Sequence, residues 1–156
     1  MTERSLPDDQ LQPGGIYRRS ALHTNWGGQR YGGISTPANS TYAFLFTGEA
    51  GSQFGYEDRW VADDTYEYTG EGQQGDMELV RGNRAIVERS PDIHLFTILG
   101  DGLVRYVHQM FYADHHFRQG KDRDGRERQL VLFKLRKYTR EHLGVALAAK
   151  QKALSA

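Results

Sequence analysis

The stretch Tyr66-Glu67-Tyr68-Thr69-Gly70-Glu71-Gly72-Gln73-Gln74-Gly75-Asp76 is the centre of a longer segment, Gly55 to Asn83, around which we expect the chain to be organised. A short aromatic strand leads here into a loop rich in glycine. Glycine lets the backbone approach a ligand closely and take positive φ, while the flanking tyrosines offer flat surfaces for stacking. The stretch therefore predicts a ligand pocket. The alternative is a strand that leads into an irregular surface loop.

Length and composition indicate one soluble domain. At 156 residues the chain is long enough to bury a core of its own. It contains no cysteine, which excludes disulfides, thiolate nucleophiles and cysteine-bound zinc. It has no run of about eighteen apolar residues, and its polar start lacks a signal-peptide core. We therefore expect a cytoplasmic protein with a flexible leader at residues 1–14, a domain at residues 15–137 and a C-terminal helix at residues 138–156.

Charge is balanced over the whole chain but separated along it. The formal net charge is zero. Acidic side chains dominate from Glu49 to Glu78, where Arg59 is the single base, and basic side chains dominate from Arg118 to Arg140. Fifteen of the 20 basic residues are arginine, which suits bidentate contacts with phosphates and bases. The separation is compatible with a nucleic-acid-binding face, and also with a solvated surface whose charges compensate each other.

The pattern of apolar runs and turns predicts a mostly antiparallel sheet. The run Tyr42 to Thr47 is typical of a buried strand. Ile93 to Leu99 and Leu103 to Tyr112 flank the tight turn Gly100-Asp101-Gly102 and predict a hairpin. A further strand is expected from Gln129 to Leu135.

Two helices are expected beside this sheet. Asn83 can cap a short helix through Glu88, because its side chain accepts hydrogen bonds from the amides of the first turn. A closing helix is predicted from Thr139 to Ala153, with four apolar residues at helical spacing: Leu143, Ala146, Leu147 and Leu154. Short strands, weak helices and glycine turns together predict an α+β fold with a curved, mostly antiparallel sheet or partial barrel.

The order of these motifs resembles that of the SRA (YDG) domain, a reader of methylated cytosine in DNA. The resemblance rests on Gly55-Tyr56-Glu57-Asp58, on the stretch from Tyr66 to Gly72 and on Gly82-Asn83-Arg84-Ala85. Gly32-Gly33-Ile34 and the strand from Arg126 to Leu135 also look like elements of that domain. The sequence is most similar to the SRA-like domains of bacterial McrA-type restriction endonucleases, where a reader is joined to an HNH nuclease. The resemblance implies an SRA/PUA-like fold for residues 15–137.

The resemblance also implies base flipping, in which a modified cytosine leaves the duplex and stacks between two aromatic rings. Tyr56 and Tyr68 match the stacking tyrosines of the family. Asp58 is the expected acceptor for the N4 amino group of cytosine. Backbone amides of Gly70-Glu71-Gly72 are expected to meet O2 and N3, and Thr69 to form part of the niche for the C5 substituent. The expected ligand is 5-methylcytosine or 5-hydroxymethylcytosine in double-stranded DNA.

The sequence departs from the eukaryotic pattern at two places. A gapless alignment of the tyrosines puts Arg59, not Asp58, at the position of the base-reading acid, so this acid shifts by one residue or comes from Asp63 or Asp64. The loop from Gly70 to Gly82 lacks the basic finger that fills the vacated duplex space in eukaryotic relatives. Groove and phosphate contacts are expected from seven arginines: Arg18, Arg19, Arg30, Arg81, Arg84, Arg118 and Arg126.

Two other functions stay open on the sequence. His108, Asp114, His115 and His116 could hold a divalent metal in a nuclease, although adjacent His115 and His116 would point to opposite sides of a strand. A PUA-like fold could also bind RNA. We expect a binding domain without catalytic residues, metal or cofactor. A nuclease is expected as part of the same full-length protein or as a separate partner.

Overall fold

The computed structural model describes residues 11–48 and 58–156, which form eight strands and three helices. The strands are β1 (Ile16–Arg18), β2 (Ile34–Ser35), β3 (Ala43–Thr47), β4 (Arg59–Ala62), β5 (Thr65–Thr69), β6 (Ile93–Gly100), β7 (Leu103–Lys121) and β8 (Glu127–Lys137). The helices are α1 (Arg19–Trp26), α2 (Arg81–Glu88) and α3 (Leu143–Ser155), with a 3₁₀ turn at Arg140–His142. None of the described helices is long and apolar enough to cross a membrane.

All eight strands belong to one open sheet. Hydrogen-bonded neighbours follow the order β2-β3-β6-β7-β8-β5-β4, and β1 pairs with β7 outside this path. Every strand pair within the described residues is antiparallel except β3 with β6. The α+β class and the mostly antiparallel sheet predicted from the sequence are confirmed.

Strand β3 lies in the interior because its whole length is apolar or uncharged. All five residues of Ala43–Thr47 are buried, as expected for a run that packs on both faces of a sheet. On one face Phe44 belongs to the same buried cluster as Leu22 of α1. On the other face Leu45 belongs to the cluster that contains Ile86 of α2. The helices therefore cover both faces of the sheet.

The predicted β6–β7 hairpin is confirmed, but β7 is longer than the sequence indicated. It runs for 19 residues to Lys121, and its outer half pairs with β8. A bulge between Tyr112 and Asp114 shifts the register and places Tyr112 and His115 on one face, with Tyr112 Oη 2.5 Å from His115 Nδ1. The β7–β8 hairpin thus extends past the core, and its turn reaches the glycine-rich loop.

The predicted helix cap at Asn83 is wrong. Helix α2 begins at Arg81, so Asn83 lies within the helix, where it is buried. Its side-chain amide binds the glycine-rich loop instead of the helix terminus. Loop groups that are buried against α2 need hydrogen-bond partners, and Asn83 supplies them.

The helix predicted from Thr139 to Ala153 is present as α3, which begins at Leu143 after the 3₁₀ turn, but the residues that face the core differ from the expected ones. Ala146 is buried, whereas Leu143, Leu147 and Leu154 are exposed. Ala149 and Ala153 also pack against the core. Small side chains let the helix axis lie close to β7 and α2, which long leucine side chains on that face would prevent.

Residues 11–14, the last part of the predicted leader, contact the domain. Leu11 is buried in the cluster that contains Leu22. The amide of Gly14 donates to the carbonyl of Tyr106 at 2.8 Å. The first ten residues lie outside the described part of the chain.

Candidate functional site

A cavity of about 820 Å³ opens where β5 ends in the glycine-rich loop. Its walls come from the ends of β3 and β5, the loop before β2, the loop between β5 and α2, and the first turn of α2. Gly48 and Asp58, which flank residues 49–57, both line it. Tyr56, the first predicted stacking tyrosine, lies outside the described residues. The side chains that line the cavity include those of Arg19, Thr47, Asp58, Tyr68, Arg81 and Asn83.

Asp58 is fixed at the cavity by two hydrogen bonds. Its Oδ1 accepts from the amide of Thr69 at 2.7 Å, and its Oδ2 accepts from the hydroxyl of Thr47 at 2.8 Å. The Thr47 hydroxyl also lies 3.0 Å from Tyr66 Oη. Burial raises the pKa of Asp58, and the two hydrogen bonds oppose that rise. The carboxyl group therefore has a set orientation, and each oxygen keeps a lone pair for a further donor.

The position of Asp58 bears on which residue supplies the base-reading acid. Asp58 lines the cavity, whereas Arg59 begins the edge strand β4 and is exposed. Asp63 is exposed in the turn before β5, and Asp64 binds Arg136 at 3.3 Å. Of these candidate positions, the structure places Asp58 at the cavity.

Tyr68 lies in the cavity wall next to the Thr69 amide that binds Asp58. Only 3% of Tyr68 is exposed, and its hydroxyl lies 3.1 Å from the carbonyl oxygen of Gly33 and 3.3 Å from that of Phe46. A Cβ at Gly33 would lie 2.8 Å from this hydroxyl, so glycine is needed there. These contacts hold the Tyr68 ring in one orientation, and the ring belongs to the buried cluster that also contains Leu45 and Ile86.

The glycine-rich loop forms the cavity floor. A Cβ at Gly70 would lie 2.5 Å from Val131 Cγ1 and 2.7 Å from Asn83 Oδ1, and Gly72 has φ of +128°. Glycine is therefore required at both positions, by packing at the first and by backbone conformation at the second.

The prediction that backbone amides of the floor meet O2 and N3 of a base needs correction for two of them. The amide of Gly70 donates to the carbonyl of Val131 at 2.9 Å, and the amide of Glu71 donates to Asn83 Oδ1 at 2.7 Å. A backbone N–H has a single hydrogen, so these two amides are already used within the protein.

Asn83 and Glu71 hold the floor against α2 through reciprocal hydrogen bonds. Asn83 Nδ2 donates to the carbonyls of Glu71 at 3.1 Å and Glu78 at 2.9 Å. In return Glu71 Oε1 accepts from the amide of Gly82 at 3.1 Å. Sequence reasoning missed this clamp, because an Asn near a helix start is equally typical of a cap.

The tip of the β7–β8 hairpin supports the far side of the floor. Arg128 is buried, and its Nη1 donates to the carbonyls of Gly72 at 2.6 Å and Gly75 at 3.1 Å. The amide of Arg123 donates to the carbonyl of Gln73 at 3.0 Å. Arg128 stands in a strongly basic segment, where nothing in the sequence pattern signals a buried arginine, so sequence reasoning missed its role.

Arg19, predicted to contact DNA, lies in the cavity wall. Its guanidinium carbon is 3.8 Å from the centroid of the Phe46 ring. Its Nη2 donates to the carbonyls of Gln29 at 3.2 Å and Gly32 at 3.0 Å. Burial lowers the pKa of Arg19, but a guanidinium stays charged at neutral pH. The cavity thus holds a fixed cation as well as the Asp58 carboxyl group.

The other six predicted arginines lie on several surfaces. Arg81 is exposed at the rim of the cavity. Arg84 pairs with Glu88 at 3.0 Å, and Arg30 donates to the carbonyl of Ser20 at 3.2 Å. The remaining three are exposed, one on β1 and two on the outer part of the β7–β8 hairpin: Arg18, Arg118 and Arg126.

The histidines considered for a nuclease do not form a metal site in the described ranges. His108 Nδ1 lies 2.6 Å from the carbonyl oxygen of Gln109, and His115 Nδ1 faces Tyr112 Oη. His116 follows His115 on β7, so their side chains point to opposite faces. Among the described residues no group of three His, Asp or Glu side chains could hold a metal ion.

A family model described as "ScoMcrA-like, SRA domain" matches residues 13–150. The match includes β5, the glycine-rich loop and both partners of the Asn83–Glu71 clamp. No curated protein sequence gives a significant match.

Solved structures share the fold at low sequence identity. The sulfur-binding and SRA domains of ScoMcrA, complexed with phosphorothioated DNA, give a TM-score of 0.67 and 20% identity over 89% of this chain and 46% of that chain. The modification-dependent restriction endonuclease TagI gives a TM-score of 0.61 and 20% identity over 88% of this chain and 54% of the TagI chain. SUVH6 of Arabidopsis thaliana in complex with SAM gives a TM-score of 0.53 and 17% identity over 88% of this chain and 27% of the SUVH6 chain. The chain spans about half of the first two structures and about a quarter of the third.

Proposed function

The chain belongs to the ScoMcrA-like SRA domain family, and on that premise we propose that it binds double-stranded DNA and receives a flipped, modified cytosine in the cavity beside Asp58. The proposed bases are 5-methylcytosine and 5-hydroxymethylcytosine. The observation that carries the proposal is the oriented carboxyl group of Asp58 next to the wall formed by Tyr68.

The proposed pose follows from the chemistry of cytosine. Its N4 amino group is a donor, which the remaining lone pairs of Asp58 can accept. The ring stacks on Tyr68, which restores part of the stacking lost on flipping. Tyr56 is the proposed second wall, and Thr69 the proposed neighbour of the C5 substituent. The glycine floor lets the base approach the backbone closely.

Arg19 is the proposed partner for the sugar–phosphate side of the flipped nucleotide. The Tyr68 backbone adjoins the Thr69 amide that binds Asp58, whereas the Tyr68 hydroxyl lies at Gly33, next to the Gly32 carbonyl that Arg19 binds. In cytosine, C4 with its amino group lies opposite N1 with its sugar. A base with N4 at Asp58 therefore directs its sugar towards Arg19. The exposed arginines are proposed to contact further phosphates, which makes affinity depend on salt.

Binding of matched duplexes tests this function. Duplexes with one plain, methylated or hydroxymethylated cytosine are titrated at fixed salt by fluorescence anisotropy, with 2-aminopurine next to the target base to report unstacking. Tighter binding of a modified duplex together with a rise in 2-aminopurine fluorescence is expected. Equal affinity for plain and modified duplexes would reject the proposal.

Two further ligands separate the alternatives. A duplex with phosphorothioate linkages and plain cytosine tests recognition of sulfur in the backbone. An RNA of the same sequence tests the PUA-like alternative, which would be favoured if RNA competed as well as modified DNA.

We also propose that the chain is the DNA-reading part of a modification-dependent restriction system. TagI, whose structure shares the fold, is a modification-dependent restriction endonuclease of about twice the matched length. The nuclease would then belong to the same full-length protein or to a separate partner. Incubation of this chain with modified DNA and Mg²⁺ or Mn²⁺ is expected to leave the DNA intact, and cleavage would reject a purely reading role.

A further inference from the structure

His23 is joined to Arg19 by a hydrogen bond whose direction is fixed. Arg19 Nε donates to His23 Nε2 at 3.1 Å, one turn along α1. A guanidinium Nε always carries hydrogen, so His23 Nε2 must be the acceptor. The proton of the neutral ring then sits on Nδ1, which donates to the carbonyl of Gly27 at 2.8 Å. The contacts therefore select one tautomer of His23.

The carbonyl of Gly27, which accepts the Nδ1 proton of His23, belongs to the residue that ends α1. The amide of Gly27 donates to the carbonyl of His23 at 2.8 Å and ends α1, and Gly27 has φ of +85°. His23 is 5% exposed. A buried imidazole thus links the end of α1 to the guanidinium of Arg19.

Contacts at Nε, at Nη2 and on one face hold the guanidinium of Arg19. Nε binds His23, Nη2 binds the carbonyls of Gln29 and Gly32, and one face packs over Phe46. Within the described residues Nη1 makes no hydrogen bond. An arginine that is ordered before binding loses little conformational freedom when it meets an anion.

We propose that His23 is a positioning residue, which orients Arg19 so that its Nη1 contacts a phosphate oxygen of the flipped nucleotide. The inference rests on the proposed function, because the phosphate comes from DNA whose base occupies the cavity. An oxygen on the C5 substituent offers the same acceptor chemistry, and a duplex with an uncharged linkage separates the two sources.

The contact depends on a neutral His23. A second proton on Nε2 would remove the acceptor for Arg19 and place two cations side by side. The charged groups that act on His23 are Arg19 and Arg30, and the rings of Phe44 and Phe46 pack against it from β3. Burial is the main cause that lowers the pKa of His23, and both arginines add to it. The neutral form therefore prevails at neutral pH.

Two substitutions of His23 form a matched pair. H23Q keeps one donor and one acceptor on a side chain of similar reach, whereas H23F keeps a ring and loses both hydrogen bonds. For the modified duplex we expect H23F to bind about tenfold more weakly and H23Q within about twofold of the wild type. In an R19M background H23F should cause no further loss. A loss of equal size in that background would show that His23 acts on the structure in general and would overturn the inference.

The source of the oxygen is tested with an uncharged methylphosphonate linkage at the flipped nucleotide. The effect of H23F should vanish on that duplex, and an undiminished effect would reject the phosphate contact. If H23F does not fold, as judged by circular dichroism, the ratio of wild-type to H23Q affinity decides. This ratio should fall as pH is lowered through the lowered pKa of His23, with the titration of the ring followed by NMR. A ratio that stays constant while the ring takes up its proton would overturn the role of His23.

The proposed function fails separately from this inference. No preference of the wild type for the modified duplex would reject both. A clear preference that H23F retains in full would reject the role of His23 alone.

Discussion

The amide of Thr69 donates to Asp58 Oδ1 at 2.7 Å and joins two positions that are eleven residues apart. Tyr68 directly precedes this amide, so the bond sets the carboxyl group beside the tyrosine wall. The second bond to Asp58 comes from Thr47 at the end of β3. The carboxyl group thus lies where β3 and β5 end and just before β4 begins.

Replacement of Asp58 by asparagine should weaken binding without unfolding the protein. The amide can keep both internal bonds, with its oxygen accepting from Thr69 and its nitrogen donating to Thr47. It loses the charged acceptor for cytosine N4, so we expect a loss of about 1.5–3 kcal/mol in binding to the modified duplex. D63N and D64N are matched controls, because the structure places both side chains outside the cavity lining. An unchanged affinity of D58N, measured by anisotropy, would remove Asp58 from the proposed mechanism.

The raised pKa of Asp58 predicts opposite effects of pH on stability and on binding. Burial favours the protonated form, so the folded state holds this proton more tightly than the unfolded state. The contribution to stability is then present below the unfolded pKa and is lost as pH rises through the raised folded pKa. DNA affinity should instead fall as pH is lowered through the folded pKa, because the charged form is the better acceptor.

Two differences between wild type and D58N, in the free energy of unfolding and in the free energy of DNA binding, isolate the titration of Asp58 from that of the histidines. Urea unfolding and anisotropy from about pH 4 to about pH 7 should show both trends in the difference. A difference that does not vary with pH in either measurement would contradict the assignment.

The sheet could be predicted because its central strands have unambiguous patterns. Tyr42 to Thr47 has no polar face, so it had to be buried on both sides, and the turn at Gly100-Asp101-Gly102 fixes the β6–β7 hairpin. The resemblance to the SRA domain rests on the order of these motifs, and the family model that matches residues 13–150 confirms that resemblance. The outer half of β7 was missed because its residues from Asp114 onward are mostly exposed and show no core pattern.

The site could be predicted only in part, because its geometry depends on contacts between distant segments. A shift of one residue decides whether Asp58 or Arg59 faces the cavity, and no local pattern sets such a register. The position of Asn83 near the start of α2 predicts a helix cap. Only the path of the loop in the folded chain shows that its partner is Glu71. The hydrogen bonds of Arg128 span 56 and 53 residues to Gly72 and Gly75.

Two substitutions of Tyr68 separate its ring from its hydroxyl group. Y68F keeps the stacking surface and loses the contacts with Gly33 and Phe46, so it should lower the free energy of unfolding by about 1 kcal/mol. Its preference for modified over plain DNA should be kept. Y68A also removes a buried ring, which should cost about 3–5 kcal/mol of stability, and the folded molecules should lose about 1–3 kcal/mol of stacking with the flipped base. Stability is measured by urea unfolding, and the DNA preference of each variant is measured as the ratio of its affinities for the modified and plain duplexes. An equal ratio in Y68A and wild type would contradict stacking on Tyr68.

Two glycine-to-alanine substitutions test whether the cavity floor is rigid, because each adds one methyl group in a different environment. At Gly70 the methyl would press on Val131 and Asn83, both of them buried and tied into the fold. We expect G70A to lose about 1–3 kcal/mol of stability and to lose preference for the modified duplex. At Gly144, within α3, no atom lies within 4 Å of the added Cβ. G144A should therefore gain about 0.5–1 kcal/mol from helix propensity and keep its DNA preference.

V131A makes room beside Gly70, so G70A with V131A should recover part of the binding preference lost in G70A alone. A G70A variant with wild-type stability and preference would show that the floor yields to a methyl group and does not define the cavity.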